Sequence, residues 1–422
     1  MSSTTLRRSV AVSAAALLLG GTLAACSTEP ASETAAAGGS ISISTNHGPA
    51  TKEVVAAFEK ANPDITVEVK EYAQNYREVV GTQLSGGNAT DLIEIPGGGG
   101  NVISARVAGD RGFYADLADS SWAADIPEAA RQQLSLDGGE LVGVPMVLSS
   151  IGGIYNQGAL DTAGLSVPTT WSEVLQFCGD AKEKGLTAYG LGLSDTWTTQ
   201  LIPYALTASL VYGPDPEFID QQVDGDATFA DSKWKDAFDQ YLEMRDAGCF
   251  NESPNGTPYS QVQDAIRQGT TLGTVSIAAE TKNIATGGPS DLKLTYALFP
   301  ATDDTADEYL PTSVSGFAVN AASENTEATQ AFVDYLATPE AQIIFANAFG
   351  DAAAMPGDEP ATDAVSTLVA QYAGENKVTT WPDRLWPSTT VQPAVFDGVQ
   401  ALFNDSETVD GLLTKMDSAF QG

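Results

Sequence analysis

Few residues in this chain are equipped for chemistry, and their types narrow it sharply. The 422 residues include one histidine, His47, three cysteines, and 55 acidic against 20 basic side chains, for a formal charge of −35. A single imidazole excludes any site that needs two, and three thiols cannot build a four-thiolate zinc centre. A serine triad would have to take His47 as its base, and no G-x-S-x-G elbow supplies the nucleophile. With 55 carboxyls some close pair is inevitable, so their abundance does not by itself signal the paired acids of a glycoside hydrolase. The run Pro96-Gly97-Gly98-Gly99-Gly100 lacks the Lys-Ser/Thr of a phosphate loop and reads as a flexible rim loop. Asp303, Asp304, Asp307 and Glu308 match no calcium-loop spacing and read as a solvated acidic turn. No metal or cofactor is expected. The negative charge makes a phosphate backbone a poor partner, so nucleic acid is excluded as well.

The N-terminus reads as an address. Arg7 and Arg8 precede a small, apolar, uncharged stretch over Ser9–Thr22 that is too short for a comfortable membrane span. It closes on Leu23-Ala24-Ala25-Cys26, which resembles a bacterial lipobox: small residues fit a narrow peptidase site, and the Cys26 thiol accepts the lipid. Residues 1–25 are thus expected to be a lipoprotein signal peptide. Residues 26–40, small, polar and Gly/Pro-bearing, are expected to be a flexible tether. The body would sit outside the cytoplasm on a lipid anchor in the cell membrane, since no later stretch of about 18 apolar residues offers a second span.

The elements that must position any site follow from periodicity. Ile41-Ser42-Ile43 alternates as a strand, Lys52–Ala61 sets Val54, Val55 and Phe58 on one helical face, and Ile65, Val67 and Val69 alternate again. A helix over Tyr76–Leu84 and the apolar strand Leu92–Ile95 complete β-α-β-α-β, which predicts a largely parallel sheet with helices on both faces. The pattern restarts after Val144-Pro145, with a strand at Gly153–Asn156, a helix at Ser172–Lys184, a strand at Tyr189–Leu193 and a helix at Asp231–Asp246. Further strands are expected at Gly273–Ala278, Leu294–Leu298 and Val314–Val319, and helices at Glu324–Ala337, Pro339–Phe349, Val391–Phe403 and Val409–Phe420. The reading is two α/β lobes with a helical C-terminal region.

Several passages, taken in order, resemble the family 1 (carbohydrate-type, maltose-binding-protein-like) extracellular solute-binding proteins of ABC importers. They are Phe58–Val67 (FEKANPDITV), Gly143-Val144-Pro145 with Ile154-Tyr155-Asn156, Val167–Glu173 (VPTTWSE) with Ala181–Gly185, Ser323–Leu336, Pro339–Gln342 (PEAQ) and Thr408–Leu413 (TVDGLL). The resemblance implies a periplasmic-binding-protein-like (Venus flytrap) fold, in which two lobes close on a solute by hinge bending. It implies crossovers near Val147–Ser150, Ala297–Pro300 and Phe349–Pro356. Lobe 1 would then be 41–147 plus 300–349, and lobe 2 would be 149–297 plus 350–422.

Ligands of open α/β sheets sit beyond the carboxyl ends of strands, which singles out Asn46-His47 after the first strand and Glu94 at the end of the third. Asn and Glu suit vicinal hydroxyls; His47 is either a ligand contact or a loop residue before the helix at Thr51. By likeness to the family, Trp197, Trp381 and Trp386 would present flat faces to a sugar, whereas Trp122, Trp171 and Trp234 pack. Tyr76 and Ser315 are candidates by loop position, and Arg384 would hold a carboxylate or hydroxyl pair or a surface acid. One departure stands out: where relatives carry a stacking Gly-x-Trp, this chain reads Ile277-Ala278-Ala279-Glu280-Thr281, suggesting a ligand held more by hydrogen bonds, with Glu280 as an acceptor. Cys178 and Cys249 are expected to form a disulfide, two buried free thiols being the alternative. The resemblance implies a monomeric, non-enzymatic receptor that hands a mono- or oligosaccharide to ABC permease subunits. A secreted glycoside hydrolase and a ligand sensor for a membrane signalling protein are the alternatives.

Overall fold

A computed structural model describes residues 38–421 apart from Ala73, Glu359 and Thr362. The signal peptide, most of the tether and Cys26 lie outside the described residues. Among the described residues there are ten strands: β1 (Gly39–Thr45), β2 (Ile65–Glu71), β3 (Leu92–Pro96), β4 (Val144–Asn156), β5 (Thr187–Tyr189), β6 (Thr271–Ile277), β7 (Leu294–Ala297), β8 (Leu310–Val319), β9 (Ala352–Ala353) and β10 (Val378–Thr380). Their main path runs β2-β1-β3-β8-β4-β6-β5. The segment read as tether ends early, because Gly39 and Ser40 already pair with Ile65 and Thr66 in β2.

The expected parallel sheet is mixed. β1 pairs parallel with β2 and β3, and β5 with β6, but β8 enters between β3 and β4 and runs antiparallel to both. The chain reaches β8 only after building the far sheet, so it returns in the opposite direction. β4 joins the two halves: Val144–Ser150 pairs with β8, while Ile151–Asn156 pairs with β6 and β7. All 13 residues of β4 are buried, as befits a strand flanked on both edges and covered on both faces.

Two apolar cores follow. One gathers Ile41, Ile43, Phe58, Val80, Ile93, Phe317, Phe332 and Phe345, and extends to Met355, Val365 and Val369. The other gathers Tyr155, Phe177, Tyr189, Trp234, Phe238 and Tyr241, and takes in Trp386, Val395 and Leu412 from the C-terminal stretch. The C-terminal region is helical over Ala364–Gly374, Val391–Phe403 and Val409–Gln421. Cys178 and Cys249 are bonded and wholly buried, tying the helix Trp171–Glu183 to the end of the helix Trp234–Ala247. The strand expected through Leu193 stops at Tyr189, since the Leu193 amide bonds the Pro254 carbonyl instead of a ladder partner. Periodicity gave no sign of the helices Leu201–Thr207 and Tyr259–Arg267. Among the described residues no helix is long and apolar enough to cross a membrane.

Candidate functional site

The parallel pair β1 and β3 brings their carboxyl ends side by side. Glu94, 3% exposed, accepts hydrogen bonds there from the Thr45 hydroxyl, the Asn46 amide (3.2 Å) and the His47 ring at Nδ1. Burial alone would push the Glu94 carboxyl upward, but His47 and these donors more than reverse it, so it stays ionised below the ordinary glutamate range. His47 answers in kind: burial lowers it, yet Glu94 and then Asp351 hold its pKa above the ordinary value. Its ring packs 4.4 Å from Phe349, while its side chain keeps 38% exposure. Tyr76 lies beneath, its hydroxyl within 3.0 Å of the Ser44 carbonyl and 2.6 Å of the Glu94 carbonyl. It brackets the two strand ends and offers little to a ligand.

Asp351, just after the helix Pro339–Phe349, approaches from the other side. It is 6% exposed and accepts from Ser149 Oγ at 2.6 Å, on the part of β4 where the chain changes sheets. Burial pushes its carboxyl up to about 7 despite that bond.

A second group belongs to the far half. Trp197 is half-buried, packs against both cores, and meets Tyr259 edge to face at 4.9 Å. Tyr259 bonds Ser276 Oγ at 2.8 Å and feels the Glu280 charge. Glu280 opens the helix Glu280–Thr286 and accepts from Gln263 Nε2 (2.7 Å) and Asn283 Nδ2 (2.9 Å).

The third group is the segment Trp381–Trp386, seated on the glycine run. Gly98 and Gly100 have φ of +68° and +85°, and a Cβ on Gly100 would stand 2.0 Å from the Asp383 carbonyl oxygen. The Gly99 amide donates to the Arg384 carbonyl at 2.6 Å. The run is therefore a fitted saddle and not the flexible rim the sequence suggested. Arg384 Nε donates to Ser313 Oγ at 3.2 Å, and its Cζ lies 5.7 Å from the Trp381 ring centre. Asp383 is 2% exposed and stands 3.3 Å from Arg384 Nη1. Ser315, half-buried two positions along β8, pairs with Pro96 and Val147.

The expected residues thus divide. Asn46, His47, Tyr76 and Glu94 are brought together, as are Trp381 and Arg384, which meets Ser313 and not the expected Ser315, while Trp197 and Glu280 are linked through Tyr259. Trp386 is not available for stacking: it is 1% exposed, packed among Tyr204, Phe229 and Trp234. An indole that size finds more contact in an aromatic core than at a rim. Sequence reasoning missed Asp351, Tyr259 and Asp383. Asp383 was legible as the acid beside Arg384; Asp351 gave no signal.

Two α/β halves sharing β4, with polar and aromatic side chains gathered at strand ends, define a two-lobe solute-binding fold. The family pattern for bacterial extracellular solute-binding proteins matches residues 42–343. A probable sugar-binding periplasmic protein of Rhizobium meliloti (strain 1021) is 30% identical over 172 residues, 40% of this chain and 39% of that protein. The matched stretch therefore spans well under two thirds of that relative. Raffinose-bound RafE superposes with a TM-score of 0.75 at 20% identity, over 90% of this chain and 98% of RafE. A chitin oligosaccharide binding protein superposes equally well, at a TM-score of 0.75 and 18% identity, over 90% of this chain and 98% of that one. The chain belongs to the bacterial extracellular solute-binding protein family, which is made of binding proteins rather than enzymes.

Proposed function

We propose that this protein is the solute receptor of an ABC importer, that it captures a mono- or oligosaccharide between its halves, and that it passes the sugar to permease subunits without altering it. The lobes would be 41–147 plus 300–349 and 149–297 plus 350–422, with Met355, Val365 and Val369 of the latter packing into the first core, and would be joined at the sheet-to-sheet passage of β4. A lipid on Cys26 would hold the body at the outer face of the cell membrane, where a monomer meets its permease.

The observations that carry the reading are a charged hydrogen-bonding group, His47–Glu94, at the strand ends of one half and a half-buried aromatic, Trp197, in a segment of the other. Vicinal hydroxyls need both donors and acceptors held rigid, and the C–H face of a sugar ring stacks on an indole. The sugar-binding relative and the oligosaccharide-binding neighbours support the same solute class. The glycosidase alternative gains nothing here, since Glu94 is committed to His47, Thr45 and Asn46. Thermal-shift screening against a saccharide panel, with chromatography of the recovered sugars, tests the proposal. A raised unfolding temperature with unchanged sugar is expected; release of shorter products, or no shift with any saccharide, would overturn it.

A further inference from the structure

Trp197 and Glu280 lie far apart in sequence, yet both rest on the same short helix, Tyr259–Arg267. Tyr259 and Gln263 are one turn apart on it, and residues at that spacing share a helix face. The buried Tyr259 ring meets the Trp197 indole edge to face at 4.9 Å, with the planes at 69°. Its amide donates to Asp195 Oδ2 at 2.7 Å, and Asp195 opens the single turn Thr196–Thr198 that carries Trp197. The approach to that turn is tied to the same neighbour, since the Ser194 amide donates to the Thr257 carbonyl at 3.2 Å. The Tyr259 hydroxyl in turn donates to Ser276 Oγ of β6 at 2.8 Å. Ring, turn and strand are thus held as one unit.

Gln263 holds the acid. Its Nε2 donates to Glu280 Oε2 at 2.7 Å, while Asn283 Nδ2 donates to Oε1 at 2.9 Å. Among the described residues no basic side chain lies within ion-pair distance of Glu280, so these two amides fix the direction of its carboxylate. A carboxylate has about four acceptor positions, and part of that capacity stays free for hydroxyls.

We propose that Tyr259 and Gln263 are positioning residues: acting through Trp197 and Glu280, they fix the stacking face and the acceptor oxygens of the far half relative to each other. The inference rests on the saccharide-receptor reading given above. An indole on a single turn and a carboxylate without a cation would each sample several rotamers, and ordering them at the moment of binding costs affinity. Contacts made beforehand remove that cost. Because both contacts come from one helical turn, stacking and hydroxyl recognition are set together.

The test is calorimetric titration of the purified protein with raffinose, galactose and chitobiose, with urea unfolding of every variant alongside. Tyr259→Leu removes the ring, and Gln263→Met removes the amide at similar size. Each is expected to weaken whichever of these sugars the unsubstituted protein binds by about tenfold or more, and Tyr259→Phe, which keeps the ring, to restore what Tyr259→Leu loses. Residues that act through one contact are not additive, so the loss from Tyr259→Leu is expected to shrink to about twofold or less in a Trp197→Ala background, and that from Gln263→Met to do the same in a Glu280→Gln background. Should Tyr259→Leu fail to fold, the cycle of Gln263 with Glu280 decides alone. Unchanged affinity in folded variants that only unfold at lower urea, or losses that add in full, overturns the inference and leaves the receptor reading intact. Binding of none of the three sugars by the unsubstituted protein overturns both.

Discussion

At Glu94 and Asp351 two buried carboxyls have opposite fates, and the cause is their partners. Glu94 has an imidazole, a hydroxyl and an amide and stays ionised; Asp351 has one serine and one amide and holds its proton up to about 7. The folded state therefore keeps a proton on Asp351 that the unfolded chain releases, so stability falls as pH rises from the ordinary aspartate value towards about 7. His47 acts in the same sense: its contribution is complete below its ordinary pKa and is lost above it. Glu94 works the other way, in acid below the ordinary glutamate range. The unfolding temperature of the ligand-free protein is expected to fall from about pH 5 to about pH 8, and Asp351→Asn to flatten that slope; a thermal melt at several pH values decides. The tryptophans separate similarly. Trp197→Ala is expected to weaken saccharide binding by about 1–3 kcal/mol and to cost less stability than loss of the fully buried Trp386, since its ring is only half-buried. Trp386→Ala is expected to cost about 3–5 kcal/mol of stability, because it empties the middle of an aromatic cluster; calorimetry beside urea unfolding distinguishes the two. Sequence alone could mark all three cleft tryptophans as loop residues but could not say which loop folds inward. Burial is decided by what packs on top, here Tyr204, Phe229 and Trp234.

At the scale of elements, strong periodicity was legible and context was not. The helices Pro339–Phe349 and Val391–Phe403 fall where the apolar spacing sets them, since a helical stripe is written in its own residues. The direction of β8 was not, because strand order and polarity depend on where the chain returns from. The glycine run was misread for a related reason: its close approach to the backbone of residues 383–386 appears only once both segments are in place. The disulfide lies at this scale too. It closes a loop of 71 residues between two helices, which by chain entropy contributes about 4 kcal/mol. The Cys178→Ser/Cys249→Ser double variant is expected to unfold at correspondingly lower denaturant, with binding retained when folded; urea titration of oxidised, reduced and variant protein checks this.

For the whole molecule, the two halves are neither separate domains nor one sheet. β4 belongs to both, and Asp351 touches β4 at Ser149 while sensing His47, so the cleft groups and the passage between halves are physically connected. The overall class was legible because many weak passages agreed in order, whereas the cleft was not, since its members come from positions as distant as 47, 197 and 384. The placement of β8 has a further consequence. The middle of the first sheet stays vacant until about three quarters of the chain has been made, and until then β3 and β4 lack their shared neighbour. A polypeptide built this way cannot lock into shape early. Its first half completes its sheet only once residues 310–319 are available.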